Sequence, residues 1–123
     1  MSASLFDNPL FSELVGDREV QQLFSPEADI AAMLDFEAAL ANAQAAYREI
    51  DESDARAIVE VAEAFKPDIA ALAAGAARDG MIVPALVKAL REKLDEPQRA
   101  SLHKGATSQD LIDTSLAVRL GHV

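Results

Sequence analysis

Between Pro26 and Glu49 the chain contains neither a glycine nor a further proline, and no other feature constrains its fold as much. Ser25-Pro26-Glu27 opens this stretch with a helix-start signal: a capping hydroxyl, proline at the first helical position, and acids in the first turn. Ile30, Met33, Leu34, Leu40 and Tyr47 recur at helical spacing, with Phe36 widening the stripe, so the longest helix of the chain is expected here. Alanines at 38, 39, 41, 43, 45 and 46 leave room for close helix neighbours. Glu37 falls within the run and is expected as a solvated or structurally paired carboxylate, because charged residues are seldom fully buried without a partner.

Further helices are marked by their punctuation. Asp17 caps a short one through Phe24, and Ser53-Asp54 starts another through about Phe65, interrupted by Lys66-Pro67-Asp68. A run from Asp68 to Arg78 ends at Asp79-Gly80, a left-handed cap. Met81-Ile82-Val83 reads as an apolar connector, after which Pro84 begins a helix carrying Leu86, Val87, Leu90 and Leu94 that Asp95-Glu96-Pro97 stops. Pro97 to Gly105 reads as loop, and Thr107 or Ser108 caps a final helix through about Leu120. The opening Ser4 to Gly16 reads as turn and short helical pieces held down by Leu5, Phe6, Leu10, Phe11 and Leu14. Half of the residues are apolar but only 5% are aromatic, with alanine supplying much of the apolar count, which favours closely packed helices over strands. The expectation is one all-α domain over residues 1–123.

The net charge of −10 is unevenly placed: residues 1–64 carry 14 acids against 3 bases, and residues 65–123 carry 7 against 8. That balance argues against nucleic acid or a membrane surface as partner, since either needs clustered Lys and Arg. A small anionic substrate near the second half is compatible with it. With no cysteine there is neither a disulfide nor a thiolate metal site, and His103 and His122 lack ligand spacing to each other, so no metal site is expected. No stretch approaches the roughly 20 apolar residues of a membrane span, and a cytoplasmic location is the default expectation.

Chemistry concentrates in His103-Lys104-Gly105-Ala106-Thr107-Ser108-Gln109-Asp110-Leu111-Ile112-Asp113-Thr114. Gly105 permits a tight turn, and the helix that follows presents free N–H groups and the positive end of its dipole there, an anion site in outline. If one hydroxyl caps the helix, the other can join the Gln109 amide in holding a carboxylate, and Asp110 can orient these donors. Asp113 is expected to make a structural hydrogen bond. Taken alone, Thr-Ser before an acidic first turn is also an ordinary capping box, and a lone histidine is more often packed or exposed than a proton carrier.

The run HKGATSQDLIDT closely resembles a segment of the fumarase/aspartase superfamily, and within it the 3-carboxy-cis,cis-muconate cycloisomerases. LFSPEADIAAMLDFEAALANAQAA looks like that group's N-terminal helix, and GMIVPALVKALREKL resembles the helix before its substrate loop. The resemblance implies an enzyme of three helical parts: an N-terminal domain, a central bundle of long helices and a small C-terminal domain. It also implies a homotetramer whose subunits share active sites, and no cofactor. Carried over residue by residue, Thr107, Ser108 and Gln109 would bind a substrate carboxylate, His103 would act beside them as the catalytic residue, and Gly105 and Asp110 would order the loop. The implied reaction is reversible lactonisation of 3-carboxymuconate in protocatechuate degradation.

Three departures accompany the resemblance. The family's Thr-His segment and its mobile serine loop of the GSSxMPxKxN type belong to later parts of the fold and are absent. The chain is therefore expected as a fragment, a truncated product or a stand-alone N-terminal module without a complete catalytic set. Lys104 stands where the group more often has an aromatic or apolar residue, and Gly121-His122-Val123 interrupts the last helix. An adenylosuccinate lyase-like protein or other superfamily lyase is the nearest alternative, although that lyase resembles the chain less around Ile82-Val83-Pro84. A non-catalytic helical module that self-associates through residues 26–49 is the alternative from another class.

Overall fold

The computed structural model describes residues 4–123. After a 3-10 turn at Leu5–Asp7, the helices are α1 (Ser12–Val15), α2 (Arg18–Leu23), α3 (Pro26–Ala46), α4 (Glu52–Ala64), α5 (Ile69–Asp79), α6 (Val83–Arg91), α7 (Gln98–Ser101) and α8 (Ser108–Gly121). No strand occurs among the described residues, so the chain is all-α.

Local chemistry accounts for most of the boundaries. Ser25 Oγ accepts from Ala28 N–H at 3.2 Å, Asp17 caps α2 through Glu19 and Val20 N–H, and Asp68 Oδ1 accepts from Ala71 N–H at 3.1 Å. Gly80 closes α5 in the left-handed conformation at φ 77°. α4 starts earlier than Ser53-Asp54 implied: Asp51 precedes its first residue Glu52, which leaves Asp54 buried in the first turn, accepting from Ser101 Oγ at 2.7 Å. α6 begins at Val83, placing Pro84 second, and α8 runs through Gly121 without interruption.

The stretch expected as loop from Pro97 to Gly105 instead contains α7 and buries Leu102. Arginine side chains hold it in place. Arg99 Nε donates to the carbonyls of Leu94 at 2.6 Å and Arg91 at 3.0 Å, and Arg91 Nη2 donates to that of Leu102 at 3.4 Å, so side chains serve carbonyls at and beyond the end of α6.

α3 packs along α4 and α8, α5 pairs with α6, and α6 also reaches α8. The core between them is built from Ile30, Met33, Ile58, Leu86, Leu90 and Leu111 with their neighbours. The stripe on α3 runs through Ile30, Met33, Leu34, Glu37 and Ala41, whereas Tyr47 is exposed at the helix end. The opening segment also departs from expectation: Leu10 and Leu14 are 82% and 81% exposed, because no described element of this chain packs over them.

At Gly75 α5 and α6 approach each other closely. A Cβ built there meets the Ala85 Cβ at 2.5 Å, and neither atom lies on a flexible side chain. In an exposed helix, alanine for glycine stabilises by about 1 kcal/mol. Here overpacking, at about 1–3 kcal/mol, outweighs that gain. Gly75→Ala is expected to lower the midpoint of urea unfolding, and an unchanged or raised midpoint would show that α5 and α6 separate freely.

Candidate functional site

His103 to Asp110 lies across the C-terminal half of α3. The sharp reversal ahead of α8 uses two left-handed residues, His103 at φ 59° and Gly105 at φ 75°. Glycine adopts that conformation without penalty, whereas a histidine there carries backbone strain. Side chains hold the turn in place. Gln44 Nε2 donates to the Lys104 carbonyl at 2.7 Å, and Lys104 Nζ donates to the Glu49 carbonyl at 2.8 Å. Lys104 thus ties the turn to the chain beyond α3.

Beneath the turn, His103 Nδ1 sits 2.5 Å from Glu37 Oε1. The Glu37 side chain is 1% exposed and that of His103 13%. Glu37 is therefore a buried, partnered carboxylate, and only its Oε1 is engaged: Oε2 is buried without a hydrogen-bond partner. The helix start that follows is a complete capping box. Thr107 N–H donates to Asp110 Oδ2 at 2.7 Å, its hydroxyl donates to the same oxygen at 3.1 Å, and Asp110 N–H returns to Thr107 Oγ1 at 3.4 Å. Thr107 is the capping hydroxyl, and Ser108 takes the first helical position.

Gln109 Nε2 donates to Asp113 Oδ1 at 2.5 Å, one helical turn on, so Asp113 makes a structural bond. Ser108 Oγ makes no hydrogen bond among the described residues. The N–H groups of Ser108 and Gln109, in the first turn of α8, have no intrahelical acceptor. One hydroxyl and two backbone donors at a positive helix end are chemically suited to a carboxylate-sized anion. Lys104, Gly105, Thr107, Gln109 and Asp110 are all exposed, so the turn lies on an open surface.

The structure thus gathers His103, Gly105, Thr107, Ser108, Gln109 and Asp110 at one turn, with the Thr107 hydroxyl and the Gln109 amide already engaged inside α8. Sequence reasoning missed the pairing of Glu37 with His103 across 66 positions. Its signal was a carboxylate on the core side of α3, between Met33 and Ala41, the residues that proved to be buried there. Among the described residues no group of three or more His, Cys, Asp or Glu is placed to hold a metal, and no helix is long and apolar enough to cross a membrane.

Fold and site together define an all-helical module that carries a capped helix start beside a buried Glu–His pair. The chain is 38% identical to 3-carboxy-cis,cis-muconate cycloisomerase of Bradyrhizobium diazoefficiens, over 98% of its own length and 27% of that protein's. It is 37% identical to nitrosuccinate lyase of Streptomyces davaonensis, over 92% of the chain and 24% of the lyase. The crystal structure of beta-carboxy-cis,cis-muconate cycloisomerase from Acinetobacter calcoaceticus superposes with a TM-score of 0.86 at 35% identity, covering 92% of this chain and 27% of that one. Weaker matches include adenylosuccinate lyases of Pyrococcus. No protein-family model matches the chain. The chain belongs to the fumarase/aspartase superfamily, corresponding to its N-terminal part, and spans about a quarter of the length of these relatives.

Proposed function

We propose that the chain supplies the substrate-carboxylate receptor of a 3-carboxy-cis,cis-muconate cycloisomerase. The observation that carries this reading is the free Ser108 hydroxyl beside two unpaired N–H groups at the start of α8, held in register by the Thr107–Asp110 capping box. In the lactonisation a carboxylate oxygen adds across a carbon–carbon double bond, and the carbon next to another carboxylate takes a proton. Charge passes onto that second carboxylate on the way. Donors fixed on its oxygens bind the transition state more tightly than the ground state and so raise the rate. Ser108 Oγ and the two N–H groups are those donors. Gln109 joins them on releasing Asp113, while Thr107, Gly105 and Asp110 shape the turn. His103 stands beside the receptor. The acid–base set is completed by later parts of the fold, in a homotetramer whose subunits share sites in the cytoplasm, without a cofactor.

The match to nitrosuccinate lyase favours one other reading: the same receptor serving a lyase of the superfamily with a different carboxylate substrate. Grafting this chain in place of the N-terminal quarter of the Bradyrhizobium cycloisomerase separates the two. Turnover of 3-carboxymuconate is expected, with Ser108→Ala lowering kcat about 10²–10³-fold, the usual effect of removing one such donor. A folded graft inert on 3-carboxymuconate that eliminates from succinyl-type substrates would favour the lyase. A change below about threefold on Ser108→Ala would remove Ser108 from the receptor.

A further inference from the structure

Three buried or half-buried features remain outside that reading: the Glu37–His103 pair, the Asp54–Ser101 bond, and a network in which Asp29 accepts from Ser115 Oγ at 2.6 Å and Arg119 at 3.0 Å. The last two tie helix to helix and make no contact with the candidate site. The Glu37–His103 pair differs in three ways. It reaches the candidate site, it holds a residue in a strained backbone conformation, and it leaves a carboxylate oxygen unpartnered in the core.

We propose that Glu37 is a positioning residue that fixes His103 in the tautomer protonated at Nδ1, making Nε2 the ring atom that gains and loses a proton. A carboxylate is acceptor-only, and a neutral imidazole has one donor and one acceptor nitrogen. At 2.5 Å one of the two must donate, and opposite a carboxylate, which only accepts, that donor is Nδ1–H. The orphan Oε2 makes this one-sided: among the described residues Glu37 has no other donor than Nδ1–H, so reversing the tautomer would leave a buried carboxylate facing a lone pair. The left-handed backbone at His103 keeps the ring there, and its cost is offset by that bond. Nε2 is thereby left without competition from Nδ1: deprotonated it is a base, and protonated it is a charged donor to a carboxylate. Only this use toward substrate rests on the receptor reading above.

The test is nitrogen NMR of the 15N-histidine-labelled chain at alkaline pH, where neutral tautomers are read from the two ring-nitrogen frequencies. His122, exposed near the C-terminus, is the internal reference. His103 is expected to favour Nδ1–H by more than about tenfold, in line with a hydrogen bond to a charged group, while His122 favours Nε2–H as free imidazoles do. In Glu37→Met, which fills the space without an acceptor, His103 should fall back to the His122 ratio. A wild-type His103 with the same ratio as His122 would overturn the proposal even if the variant fails to fold. So would a folded Glu37→Met that retains the Nδ1–H preference. Because no substrate is present, loss of the receptor reading would leave this result standing, and the reverse also holds.

Discussion

His103→Ala is expected to lower the folding stability of the chain by about 3 kcal/mol, read as a fall in the urea midpoint at constant slope. Alanine keeps a Cβ and therefore keeps the penalty of the left-handed backbone, so the loss reports the missing imidazole. What remains is Glu37, buried at 1% exposure with neither oxygen partnered. The decisive measurement is the double variant. Removing the carboxylate as well, with Glu37→Met, is expected to restore most of the loss, because a matched apolar replacement of a buried pair is nearly neutral whereas removal of one member is not. Losses that simply add in the double variant would mean that the two side chains are energetically independent.

Leu111→Ala should be of similar size, about 3 kcal/mol, because Leu111 is 0% exposed and its truncation leaves a cavity where α8 meets the core. For a chain of this length that corresponds to roughly 10 °C in Tm. The contrast lies one and a half turns further on: Leu116 is 42% exposed, and Leu116→Ala should change stability by no more than about 0.5 kcal/mol. Leu111 follows the Thr107–Asp110 capping box directly, so it also seats the donors of Ser108 and Gln109. Equal effects of the two substitutions in calorimetry would contradict the placement of the inner face of α8.

Helix existence was legible because each signal is local. A capping side chain bonds an N–H two or three residues on, as at Asp17, Ser25, Asp68 and Thr107, and Gly80 closes α5 through its own backbone. Loop and core were less legible. α7 depends on carbonyls satisfied by Arg91 and Arg99, whose reach across several positions has no periodic signature. The opening segment has the composition of a buried piece yet stays exposed, since burial depends on what else packs there. Tyr47 matched the stripe of α3 but sits at its end, beyond the helices that cover the stripe.

At the site the division follows the same physical line. The sequence by itself determined that Gly105 to Asp110 leads into a capped helix start, because all of its bonds close within four residues. The resemblance of HKGATSQDLIDT to one superfamily was likewise readable before any fold was known, and the relatives of the chain bear it out. Only the tertiary structure decided that Lys104 and Gln44 pin the turn and that His103 stands on Glu37. Those facts depend on which face of α3 meets the turn, and that is set by packing between residues some 60 positions apart. A carboxylate on the core face of a helix carries no local record of the partner that makes its burial possible.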